Sequence, residues 1–287
     1  MPIHEKRIRE VYPEFEITHS EVNEIGQNND VLIVNHSIVF RFPKYMEGIR
    51  KLKKETGVLE SIKGNLSLPV PYPLYQSMEP AEVGKVFTGY RLIEGDPLWP
   101  GVFKEYEEHS LKIASQLVKF LTELHSRPVE DLEVEKNSID DIRSSIEDLY
   151  ERFREKLFPH MNVKAKLEVS RHFDSFLSKN ELLDFKPVLT HGDFGASNIL
   201  WNRERNEVSG IIDFGESEVG DPAYDFAGLL SSYGEPFVRR CLEMYQNGDR
   251  IFARMNFYRG TFALQEALHG VENDDPEAFE SGMKGYR

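Results

Sequence analysis

The stretch from Val188 to Phe226 constrains this chain more than any other. It opens on apolar Val188 and Leu189 and turns polar at Thr190-His191-Gly192-Asp193. Asn198 follows Asp193 by five residues, and Asp213 follows Asn198 by fifteen. Asp213 closes a second apolar run, Gly210-Ile211-Ile212, and precedes Phe214-Gly215. Between the two clusters, Ile199-Leu200-Trp201 and Val208 to Ile212 read as short strands around a polar turn from Asn202 to Asn206. Such a hairpin would gather Asp193, Asn198 and Asp213 at one edge of a sheet.

That set suits phosphoryl transfer. A carboxylate orients the attacking hydroxyl, and oxygen ligands hold Mg²⁺ against nucleotide phosphates. His-x-Asp-x-x-x-x-Asn followed by Asp-Phe-Gly is the protein-kinase spacing, with Gly192 in place of the kinase arginine. His191-Gly192-Asp193 and the later Gly220-Asp221-Pro222-Ala223-Tyr224-Asp225 resemble the aminoglycoside phosphotransferase family, most closely its 2″-phosphotransferase branch. The resemblance runs from Phe40-Arg41-Phe42-Pro43-Lys44 to the acidic tail and is most specific over residues 188–226.

The resemblance implies an α+β, protein-kinase-like two-lobed fold. Residues 1–94 would form a small antiparallel-sheet, nucleotide-binding lobe, and residues 95–287 a mainly helical lobe for catalysis and substrate. In the first, Glu5 to Tyr12 reads as a short helix. Ile17 to Gly26 and Val31 to Val34 read as strands, and Gly26 and Asn28 in the turn between them would lie over the phosphates. Ile38 to Lys44 reads as the next strand. It puts Arg41 in the slot of the family's phosphate-binding lysine, while Lys44, three residues on, points to the opposite face. Gly48 to Gly64 is a helix carrying Glu55, the counterpart of the family's helix glutamate. Val86 to Ile93 reads as the lobe's last strand, where the main chain from Arg91 to Ile93 would meet the nucleotide base.

In the second lobe, Phe103 to His125 reads as one long amphipathic helix with Leu111, Ala114, Leu117, Val118, Leu121 and Leu124 on its apolar stripe. Ser138 to Leu157, with Ser138 as N-cap, and Val163 to Leu177 repeat the pattern. Helices are expected over Ala223–Tyr233, Pro236–Tyr245, Arg250–Val271 and Pro276–Tyr286. These stripes are core packing.

By the resemblance, Asp193 acts as base or hydroxyl-orienting group, His191 supports its loop, and Asn198 and Asp213 hold Mg²⁺. Arg41, braced by Glu55, contacts the phosphates of ATP or GTP. The acceptor would be a hydroxyl of a small molecule, in the first instance a cationic aminoglycoside antibiotic, held by Asp193 with Glu235, Glu266, Glu272 and Asp275. Kinases of macrolides, choline, homoserine or methylthioribose, and a nucleotide-binding pseudokinase without turnover, stay open. After Asp225, Leu229-Leu230-Ser231-Ser232-Tyr233 carries no acidic run of the kind expected near a polycation.

Charge and composition narrow the partners. With 49 acidic against 35 basic residues the formal charge is −14, which argues against nucleic acid or an anionic membrane as partner. A cationic substrate and simple solubility explain that charge equally well. The one cysteine, Cys241, allows no intrachain disulfide, and Met1 to Arg7 lacks the apolar core of a signal peptide. Both point to a cytoplasmic protein. No apolar run reaches the roughly 18 residues of a membrane span.

Overall fold

The computed structural model describes residues 3–23, 29–130, 132 and 134–287. The chain forms two compact units, residues 1–134 with 191–217, and residues 135–190 with 218–287.

The first unit is built on a sheet that is antiparallel throughout. Helix α1 (Ile3–Val11) precedes β1 (Ser20–Asn23), β2 (Asn29–Val34) and β3 (Ile38–Pro43). After α2 (Met46–Ser61) come β4 (Tyr75–Ser77) and β5 (Phe87–Arg91), giving the order β1-β2-β3-β5-β4. The turn containing Gly26 and Asn28 lies outside the described residues. Strand alternation explains why β3 is covered on both faces. Phe40 and Phe42 join Ile8, Leu32, Val34 and Phe87 in one core cluster, which buries the apolar stripe of α1. Arg41 therefore points to the other side, toward α2, while Ile49 and Leu52 of α2 pack on Val86.

The same unit continues with β6 (Asp96–Pro97), α3 (Pro100–Glu105) and α4 (Ser110–His125). Phe103 to His125 is thus not one helix. A tight turn over Glu107–His109 interrupts it, with the His109 N–H donating to the Tyr106 carbonyl at 2.9 Å. The break lets the rings of both Tyr106 and His109 pack on buried Trp201, at 5.2 and 6.3 Å between centroids. Leu111 falls off the buried stripe and is 61% exposed, and Phe120 takes a place in the core. After β7 (Val188–Thr190), which belongs to the second unit, β8 (Ile199–Asn202) and β9 (Glu207–Ile211) form the expected hairpin and join β6 in the order β6-β8-β9. Asn202 Oδ1 accepts from the N–H groups of Glu204 and Arg205, which closes the turn.

The second unit is helical around a two-stranded ladder of β7 and β10 (Glu218–Gly220). Helix α5 (Ile139–Arg152) starts on Ser138, whose hydroxyl and Asp141 form a reciprocal capping box. It passes into a π turn over Phe153–Leu157 that buries both end residues. Helix α6 (Val163–Leu177) is capped by Asn162. Then follow α7 (Ala223–Tyr233), α8 (Glu235–Met244), α9 (Phe252–Glu272) and α10 (Pro276–Met283). At its centre Asp221 is buried and saturated. It accepts from Arg254 Nε at 2.7 Å, from the Tyr258 hydroxyl at 3.1 Å and from the Ala223 N–H at 2.9 Å. Among the described residues no helix is long and apolar enough to cross a membrane.

Candidate active site

The 191–217 segment hangs on its two histidine-flanking phenylalanines. Phe194 stacks on Phe120 of α4 at 5.7 Å, and Phe214 packs against the His191 ring at 4.6 Å. His191 is fully buried. Its Nε2–H donates to the Ile212 carbonyl at 3.0 Å, and its Nδ1 accepts from the Asp193 N–H at 3.2 Å. The ring therefore ties the chain around Asp193 to the chain before Asp213. Its two nitrogens bond main chain.

Gly192, where kinases carry arginine, has φ +81°, and a Cβ there would run into the Glu216 carbonyl. Both the left-handed backbone and this close approach require glycine. The β8–β9 ladder carries on past its last pair, with the Ile212 N–H donating to the Asn198 carbonyl at 3.0 Å. Asn198 Nδ2 then donates to Asp193, to its Oδ2 at 2.8 Å and its carbonyl at 2.9 Å. Asp213 sits in left-handed backbone at φ 66°, a conformation aspartate tolerates better than most residues.

A cavity of about 490 Å³ is lined by Asp193, Asp213, Arg41, Glu55, Lys51, Tyr90 and Glu216, among others. Arg41 Nη1 donates to both carboxylate oxygens of Glu55, at 2.7 and 2.9 Å. Glu55 Oε1 also accepts from the Phe214 N–H at 3.3 Å. Burial opposes the Arg41 charge, but the negative fields of Glu55 and Asp213 outweigh it and lift the guanidinium above its ordinary pKa. Burial is the main cause that pushes the Tyr90 hydroxyl up to about 12. Lys44, just past the end of β3, lies 3.6 Å from Asp30 and does not line this cavity.

These groups bring two carboxylates and a guanidinium–carboxylate pair to one cavity, with the Asn198 amide bonded to one of the carboxylates. Asp193 and Asp213 offer carboxylate oxygens. Asn198 commits its NH₂ to Asp193, which leaves its amide oxygen as a candidate cation ligand. An all-oxygen set of this kind fits Mg²⁺.

A second cavity in this unit, also about 490 Å³, runs along the main chain from Arg91 through Ile93 to Glu94, with Tyr72, Asn202, Arg205 and Ser209 on its walls. The Leu92 N–H is bonded to the Ser37 carbonyl at 2.8 Å, which fixes this segment at the end of β5. Gly210 lets β9 approach it closely, since a Cβ there would meet the Ile93 side chain and the Pro69 carbonyl.

The four acidic residues of the C-terminal part go elsewhere. Glu235 is exposed and paired with Arg239 of its own helix. Glu272 is held by Arg152 and by Lys156 at 2.7 Å. Asp275 caps α10 through Oδ1, and Glu266 is exposed. None of them lines the cavity of about 290 Å³ in the second unit. That cavity instead presents Glu135, Glu218, Asn137, Tyr224 and Gln265 beside apolar Ile142, Ile146 and Phe257. Sequence reading did not single out Glu135 and Glu218, because each lies among neighbouring acids and only packing selects the one that lines the cavity. Lys51 was missed because α2 carries several lysines and only packing selects one.

A phosphotransferase enzyme family model matches residues 20–258. The chain is 29% identical to viomycin phosphotransferase from Streptomyces vinaceus over 276 residues, 91% of either chain. Among solved structures, the GDP and kanamycin complex of APH(2″)-IIIa superposes with a TM-score of 0.88 at 26% identity. It covers 98% of this chain and 96% of that one. A macrolide 2′-phosphotransferase of type I shares the fold, with a TM-score of 0.78 at 20% identity over 98% and 96% of the two chains.

Proposed function

The chain belongs to the phosphotransferase enzyme family, with the kinase-like fold and an alcohol group as acceptor, and we propose that it moves the γ-phosphoryl of ATP or GTP to a hydroxyl of a cationic antibiotic of the aminoglycoside type. The observation that carries this reading is one cavity holding Asp193 and Asp213 opposite the Arg41–Glu55 pair. Residues 1–94 serve as the nucleotide-binding lobe and residues 95–287 as the part for catalysis and acceptor.

In this reading Asp193 accepts a hydrogen bond from the acceptor hydroxyl and takes its proton as the phosphoryl group transfers. The Asn198 amide holds the Asp193 carboxylate in one orientation. His191 keeps the loop in shape and takes no part in proton transfer. Arg41, fixed by Glu55, offers its remaining N–H groups to the phosphates. Asp213 and the Asn198 oxygen hold Mg²⁺, which when bound screens the phosphate charge. The base lies along Arg91–Ile93, where main-chain groups meet its edge. This reading keeps an active enzyme over a pseudokinase, since Asp193, Asn198 and Asp213 are all present, with Asn198 bonded to Asp193 and Arg41 to Glu55.

Within the second unit we assign Glu135 and Glu218, which line its own cavity, as candidates for holding ammonium groups. Exposed Glu235 and Glu266 add to the negative field, while Glu272 and Asp275 are occupied by structural contacts. The likeness to viomycin phosphotransferase supports including viomycin beside aminoglycosides among the acceptors to test. Phosphorylation assays with kanamycin, viomycin, a macrolide and simple amino alcohols, each with ATP and with GTP, test the reading. Transfer to a cationic antibiotic supports it, with a Michaelis constant that rises with salt because exposed attractions are screened over about 8–10 Å. Transfer to macrolides alone, or a salt-insensitive Michaelis constant, overturns the cationic acceptor.

A further inference from the structure

Among the described residues, Lys51 is the one lysine that lines the Asp193–Asp213 cavity. It lies four residues before Glu55 on α2, so both side chains share one face of the helix, together with Gly48 and Leu52. Its ammonium is bonded to Glu216 Oε1 at 2.6 Å, 165 positions away in sequence. Glu216 follows Asp213-Phe214-Gly215 directly, and its main chain is packed against Gly192 of the Asp193 loop. The Lys51–Glu216 pair thus spans the cavity from helix to catalytic segment. Lys53, on the same helix, pairs with Glu79 instead and does not line the cavity.

Two features make this pair exchangeable. Both side chains are about half exposed, 47% and 58%, and exposed ion pairs contribute little to stability. Glu216 is also a weak rival to a nucleotide, because a tri- or diphosphate carries several negative charges on oxygens that accept strong charge-assisted hydrogen bonds. Arg41 cannot supply the whole cationic side of the cavity, since its Nη1 is engaged by both oxygens of Glu55.

We propose that Lys51 is a second phosphate-contacting cation of this enzyme, held by Glu216 in the free protein and handed to the nucleotide phosphates on binding. The proposal rests on the kinase reading above. It gives Glu216 a competing role: the carboxylate keeps Lys51 ordered over the cavity and lowers nucleotide affinity by occupying it.

Calorimetry with Mg²⁺ and a non-hydrolysable ATP or GTP analogue tests the idea. The parent must bind the analogue, and absence of binding sinks the kinase reading itself. Given binding, Lys51→Met should weaken it by on the order of tenfold, with Lys51→Arg recovering most of the loss. Glu216→Gln should move affinity the other way and tighten it severalfold. In a Lys51→Met background, Glu216→Gln should lose that gain. A Lys53→Met control should leave affinity unchanged. If both single variants weaken binding alike, the pair is only a structural tie and the proposal is wrong. Unchanged affinity in Lys51→Met overturns it as well.

Discussion

Arg41 and Glu55, fourteen residues apart, meet through one guanidinium nitrogen that reaches both oxygens of the carboxylate, at 2.7 and 2.9 Å. Glu55 is buried to 3% side-chain exposure and Arg41 to 15%. The same carboxylate takes the Phe214 N–H, so one side chain links β3, α2 and the segment carrying Asp213. Glu55→Ala should leave a buried guanidinium and a main-chain donor without this partner. We expect a stability loss of about 3 kcal/mol in denaturant unfolding. Arg41→Lys should fold but bind nucleotide more weakly, since a point charge cannot serve Glu55 and phosphate with one planar fork.

Asp193→Asn should keep nucleotide affinity near that of the parent and lower turnover by about 10²-fold or more. The loop should stay folded, because its anchors are His191, Phe194 and the Asn198 bond to the Asp193 carbonyl. Turnover within about threefold of the parent would remove Asp193 from the reaction.

Asp213→Ala should abolish the Mg²⁺-dependent part of nucleotide binding, and chelation of the metal should do the same to the parent. Titration of the nucleotide with and without Mg²⁺ separates this from a loss of fold. An unchanged metal dependence in the variant would put the ion elsewhere.

Gly192→Ala should cost more than about 2 kcal/mol of stability. Its backbone is left-handed and its Cβ would collide with the Glu216 carbonyl. Relief of that clash moves Glu216 or the Asp193 loop, so turnover should fall with stability. A variant as stable and active as the parent would show that the two segments do not lie this close.

Glu272 provides a pH test. Its bonds to Arg152 and then Lys156 hold its carboxyl below the usual carboxylate range. A carboxyl lowered in the folded state stabilises above its unfolded pKa, and the gain disappears as pH falls through the folded value. Glu272→Gln should therefore lower the melting temperature at pH 7, and the difference should shrink as pH drops below about 4. A difference that persists at low pH would assign the effect to packing.

The sequence by itself determined the segment that carries the candidate site residues, because short-range geometry does the work there. Asn198 and Asp213 flank the two ends of one hairpin, and the loop from His191 to Asp193 joins them through the His191–Ile212 and Asn198–Asp193 bonds. Strand alternation likewise separated Arg41 from Lys44, and local caps such as Ser138 set helix starts. Tertiary structure alone decided the rest. The helix expected over Phe103 to His125 breaks because Tyr106 and His109 must both reach Trp201, a residue about a hundred positions away. Buried Arg254 meets Asp221, and Lys51 meets Glu216, through contacts that no local pattern encodes. The acidic tail shows the same limit. Its charges are plain in the sequence, but whether a carboxylate faces a cavity, caps a helix or pairs with an arginine depends on which chains pack beside it.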